Sequence, residues 1–262
     1  MKELKKSTKT LLTKASLWLA LLFWLLLWLI IALLYKKPLL LPTPLAVLKK
    51  LGALLLTAGF YKTLFYSLLR VITGILAALL FGTLLGFVCA RVKLFDAALA
   101  PLMTLLKATP VASVIFLLLL FMGRNTVPTF IAFAMALPIV FGNIKEGLLQ
   151  TSNQLLEMAA VFQVPRHRIL LQLTFPSLKP YLTAACRAAI SLAFKAGIAA
   201  EVLAVPEHSL GRAIFESKQY LLTDELFAYT AAVLIISAVL EKATLYFLQD
   251  AKKERTADAD LT

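Results

Sequence analysis

Charge is scarce in this 262-residue chain: Asp, Glu, Lys and Arg together make up 16% of it, against 61% hydrophobic residues. A soluble domain carries about 25% charged residues, so a single water-solvated core is excluded. Cysteine is nearly absent. Cys89 and Cys186 both lie in apolar sequence, without the paired spacing of a zinc site or a thioredoxin-type motif, so buried, reduced thiols are expected. Histidine is limited to His167 and His208. With no His-Glu-x-x-His run and no Gly-x-Ser-x-Gly elbow, the chain lacks the parts of an intramembrane hydrolase. Strands of alternating polarity are missing, which argues against a barrel. A Gly-rich Walker loop is missing too, so the chain cannot cradle nucleotide phosphates by itself.

Long apolar runs are what the chain does have. They fall near 17–34, 64–90, 99–121, 127–144, 182–205 and 226–248. A span of about 20 apolar residues crosses about 30 Å of hydrocarbon as a helix, so the expected fold is all-α and polytopic, with about six transmembrane helices. The first run lacks a small-residue cleavage site before Tyr35-Lys36-Lys37 and reads as a retained anchor. Its Trp24 and Trp28 lie inside the run and read as packing residues. The stretch 45–59 is apolar but short, and reads as an interfacial helix. Division of the chain follows: residues 1–16 as an N-terminal cytoplasmic segment, 17–248 as the transmembrane domain, and 249–262 as a cytoplasmic tail.

The net charge of +13 sits at the ends of apolar runs and is not interleaved with aromatics, which fits membrane flanks and not nucleic acid. Placing Lys2, Lys5, Arg91, Lys93, Lys145, Arg166, Arg168 and most other cations on one side makes that side cytoplasmic. Lys36, Lys37, Lys49, Lys50, Lys62, Arg124, Arg212 and Lys218 fall on the other. Both termini are then cytoplasmic, and so is the polar loop at about 145–180.

That loop carries Glu157-Met158-Ala159-Ala160-Val161-Phe162-Gln163-Val164-Pro165. Thr151 and Gln154 form a capping-box pattern ahead of it. Pro165 can stop a helix or open the next. Two short helices joined by a bend are expected. The pattern resembles the cytoplasmic loop of ABC importer permeases, which reads Glu-Ala-Ala, three residues, Gly, a spacer, then an apolar residue shortly before Pro. Glu157 and Ala159 match; Met158 replaces an alanine, Gln163 stands where the family has glycine, and Leu173 to Pro176 follows the spacer. The likeness runs from the second apolar segment almost to the end of the sixth and is nearest the nitrate, sulfonate and taurine group. Ser67 to Gly74, Pro101 to Pro110, and Glu201-Val202-Leu203 followed by Ser209-Leu210-Gly211 carry it.

The resemblance implies a type I ABC importer permease fold. It also implies a second permease copy as a homodimer partner, two ABC ATPase subunits that hold ATP and Mg, an external solute-binding protein, and no enzymatic activity in this chain. The loop residues 157–164 would be the helix that inserts into an ATPase groove. A rival class is an ATP-independent secondary transporter, which should show an inverted repeat and matched broken helices.

Three charges stand within or near the ends of apolar runs, where an unpaired charge is expensive and tends to face a cavity or a partner: Lys107, Lys195 and Glu201. With Thr109 and Pro110, beside a proline-weakened segment, they are the candidate translocation path. Lys195 and Glu201 are about 240° apart around one helix and do not pair along a shared face. Two lysines suit a small anion such as a sulfonate or nitrate, but the acidic Glu201 nearby in sequence offsets them, so charge alone does not fix the solute. Gly74, Ala78, Gly82 and Gly86 recur at every fourth position and make a smooth stripe for close helix contact.

Overall fold

The computed structural model describes residues 2–150 and 153–259, and among them every regular element is helical, with no strand. The order is α1 (Lys2–Tyr35), α2 (Pro44–Leu55), α3 (Ala58–Arg91), α4 (Lys93–Ala108), α5 (Val111–Leu119), α6 (Val127–Leu149), α7 (Asn153–Val161) and α8 (Arg166–Ile169). A π-helical turn (Leu170–Thr174), α9 (Phe175–Ala204), α10 (Leu210–Gln219) and α11 (Thr223–Ala259) complete it. Thr151 of the capping-box pattern lies outside the described residues. Among those residues four helical spans are long and apolar enough to cross a membrane: 58–91, 127–149, 166–204 and 223–244. A shorter apolar stretch covers Leu19–Tyr35.

The third apolar run, read as one crossing whose ladder Pro101 and Pro110 can break, is broken at the second of these prolines. It is two helices, α4 and α5, bent by 102° at Thr109–Pro110. Pro110 has no N–H to continue the ladder and forces the residue before it into extended backbone, which Thr109 adopts at ψ 132°. Pro101 does not break α4.

The chain divides into two compact units, residues 1–60 with 213–232 and residues 61–212 with 233–262. In the first, α2 starts at Thr43, whose hydroxyl accepts the Ala46 N–H at 3.3 Å, with Pro44 at the first helical position. Lys50 of α2 pairs with Glu225 at 2.8 Å. That hydrogen bond pushes the Lys50 ammonium pKa up. Trp28 stacks on Phe227 and Phe60 on Tyr229.

In the second unit α6 is the most buried helix, with Ile131, Ala132, Ala136, Val140 and Ile144 closed to solvent. The reason lies in the residues that face it. A Cβ added to Gly74 would stand 2.5 Å from the Thr129 carbonyl, one at Gly82 2.8 Å from Val140 Cβ, and one at Gly86 2.9 Å from Ile144 Cγ2. Ala78, between them, is fully buried. Only hydrogen at the three glycines lets the α3 backbone come this near. On another side of α6, Ala196, Ala200 and Ala204 of α9 join Ile115 of α5, Ile131, Ala134 and Met135 in one core cluster. Lys145 of α6 binds Asp96 of α4. Arg187 of α9 lies 3.5 Å from Glu241 of α11.

Candidate functional site

The loop pattern at 157–165 folds as α7 and a closed helix end. Val164 N–H donates to the Ala159 carbonyl at 2.9 Å and Gln163 N–H to Ala160 at 3.1 Å. This pair of bonds ends a helix through one left-handed residue. That residue is Gln163, at φ 51°, the position where the resembled pattern has glycine. A side chain there costs on the order of 1 kcal/mol in backbone strain.

Pro165 follows in extended backbone and caps α8, accepting the Arg168 N–H at 2.9 Å. The second short helix of the expected pair is not separate. It runs through the π-helical turn directly into α9, so residues 166–204 form one span. The π turn ends just before Pro176, whose missing N–H would interrupt a regular ladder. Ser177 Oγ donates to the Leu173 and Thr174 carbonyls at 2.9 Å each, satisfying acceptors at that joint.

α7 exposes an apolar tip. Val161 is 79% exposed and Phe162 73%, with Met158 at 55%. Glu157, Ala160 and Gln163 are exposed beside them, while Ala159 and Val164 are half-buried against the turn. Large apolar side chains clustered on a rigid surface helix mark an interaction surface.

The candidate path residues fall into separate places. Lys107, Thr109 and Pro110 occupy the corner between α4 and α5, where Thr109 Oγ1 donates back to the Leu105 carbonyl. Lys195 is exposed on α9. Glu201, about one and two-thirds turns further along α9, is fully buried. Its Oε2 accepts from Ser67 Oγ at 2.7 Å and from the Gly211 N–H at 3.2 Å; its Oε1 lies 3.3 Å from Arg70 Nη1. Ser67 in turn accepts the Leu210 N–H at 2.8 Å, and Arg70 donates to the Glu207 and His208 carbonyls. The carboxylate thus clamps α3, the end of α9 and the start of α10. Sequence reasoning missed Ser67 as its partner, since the two are 134 residues apart. The signal that could have found them is the shared resemblance of the Ser67 and Glu201 segments.

The described residues thus combine four helical spans long and apolar enough to cross a membrane with an exposed, apolar-tipped loop helix. The profile of the binding-protein-dependent transport system inner membrane component matches residues 78–251, and the chain belongs to that family, the permeases of ABC importers. It is 31% identical over 146 residues to a nitrate import permease protein of Synechococcus elongatus, covering 55% of this chain and 52% of that protein. The chain therefore spans about half the length of that relative. It is 28% identical to a bicarbonate transport system permease protein of the same species, over 69% of this chain and 66% of that protein. It is 24% identical to a taurine transport system permease protein of Escherichia coli, over 82% of this chain and 80% of that protein.

Proposed function

We propose that this chain forms the translocation path of an ATP-driven importer for small anionic solutes and docks a separate ATPase through α7. The observation that carries the reading is the exposed Met158, Val161 and Phe162 tip beside Glu157, on a helix joined to the transmembrane span 166–204 by a single tight turn. No long flexible segment separates the tip from that span. A partner that grips the tip can therefore move α9 as a rigid lever, in the manner of helix-in-groove recognition followed by rigid-body transmission. ATP and Mg belong to the partner, since this sequence has no Walker loop. The complete assembly takes two permease copies, two ATPases and an external solute-binding protein, with the α7 side and both termini in the cytoplasm.

The anionic preference draws on the relatives, named for nitrate, bicarbonate and taurine transport, each of which carries an oxyanion. The exposed Lys107 and Lys195 supply cations in apolar segments, where such charges favour a polar path.

The test is uptake of labelled nitrate, bicarbonate and taurine into proteoliposomes holding the permease, its cognate ATPase and binding protein. Uptake of at least one that requires both ATP and the ATPase supports the reading. Uptake that persists without the ATPase replaces it with a secondary transporter.

A further inference from the structure

Where the ends of α3 and α6 meet the joint between α7 and α8, the second unit holds a cavity of about 380 Å³, within the roughly 300–1,000 Å³ range of small-ligand sites. Arg91 from the last turn of α3 and Arg166 from the first residue of α8 both line it, together with Leu148, Leu156, Ile169 and Thr174. Among the described residues, no carboxylate lines it. Asp96, the acidic residue nearest Arg91 in sequence, is engaged by Lys145. Among the described residues neither arginine has a carboxylate partner, and the Arg91 guanidinium lies over the Phe87 ring at 5.8 Å.

We infer that this cavity binds a phosphate group between Arg91 and Arg166. Two guanidinium forks contributed by separate helices suit the planar, bidentate recognition of phosphate oxygens better than a point cation would. Leu148, Leu156 and Ile169 supply apolar walls of the kind that receive the glycerol end of a lipid head group, and basic pockets between membrane helices are known to take such groups. The same chemistry fits inorganic phosphate. Because Leu156 belongs to α7 and Arg166 to α8, an occupant bridges the bundle to the loop helix.

The experiment uses the whole 262-residue chain alone in detergent, so its outcome does not depend on whether an ATPase docks on α7. Native mass spectrometry is run with phosphatidylglycerol and with diacylglycerol, which has the same tails and no phosphate. Melting temperature is followed in parallel against inorganic phosphate. The wild type retains phosphatidylglycerol over diacylglycerol, and the double variant Arg91→Gln/Arg166→Gln binds it at least about tenfold more weakly, as expected for losing two charge-assisted contacts. Arg168→Gln, outside the cavity, leaves binding unchanged. A phosphate-dependent rise in melting temperature that vanishes in the double variant, without lipid selectivity, assigns the site to free phosphate and still supports it. Far-UV circular dichroism of each variant shows that the fold is retained, and Arg91→Lys/Arg166→Lys provides a second pair with the charges kept. Equal phosphatidylglycerol retention by wild type and double variant, with no arginine-dependent phosphate effect, overturns the inference.

Discussion

The hydroxyl of Ser67 stands 2.7 Å from Oε2 of Glu201 in the closed interior of the second unit. With Arg70 and the Gly211 N–H completing the shell of the carboxylate, the position reads as a structural clamp more than an open path. Removing one partner of a buried ion pair costs about 3–5 kcal/mol because the other charge is left uncompensated. Arg70→Met should therefore destabilise the purified permease more than Glu201→Gln, and the double variant should cost less than the sum of the singles. Thermal unfolding of the four proteins of this cycle in one detergent checks it; strict additivity would show that the groups do not interact.

Gly211 is held against the same clamp. A Cβ there would lie 2.3 Å from Glu201 Cβ and 2.4 Å from the Val202 nitrogen. Neither the α9 backbone nor the root of a buried side chain can give way cheaply, so Gly211→Ala is expected to lower the melting temperature by more than any other glycine-to-alanine change in the chain. Gly123→Ala, which meets nothing within 4 Å, serves as the reference.

The glycine stripe on α3 predicts a change of sign along the bundle. Gly82→Ala should destabilise by about 1–3 kcal/mol through overpacking against Val140. Gly142→Ala, in the interior of α6 with nothing within 4 Å of the new methyl, should stabilise by up to about 1 kcal/mol through helix propensity. Denaturant titration of both variants reads the difference, and equal effects would remove the close-contact explanation.

Left-handed backbone is carried entirely by non-glycine residues among those described: Lys36, Gln163, Val205, His208 and Leu221. Val205, at the end of α9 with φ 50°, is β-branched and the most strained of them. Replacing it with glycine should stabilise by about 1 kcal/mol, and Gln163→Gly by less, since part of each gain is lost to unfolded-chain entropy. Melting temperatures that fall in both variants would contradict the strain assignment.

The bundle was legible in the sequence because length and hydropathy dictate spans directly, as 127–144 and 182–205 show against α6 and α9. Local backbone chemistry was legible where one residue decides it: the glycine position of the loop pattern falls on Gln163, which is left-handed. The difference between Pro101 and Pro110 was not, since both lack an N–H and only the three-dimensional setting lets α4 absorb the first. The π turn before Pro176 has no sequence pattern of its own. The partners of Glu201 were hidden because a contact across 134 residues leaves no periodicity to read.

Docking through α7 is tested most directly by cross-linking. In the assembled complex, a cysteine at Phe162, whose side chain is 73% exposed, should form an adduct with the ATPase when a short bifunctional reagent is added. One at Tyr220, equally exposed at 72%, should not, and Glu157→Lys should suppress the Phe162 adduct. An ATPase that co-purifies fully yet never links to position 162, or links as well after Glu157→Lys, would contradict the account.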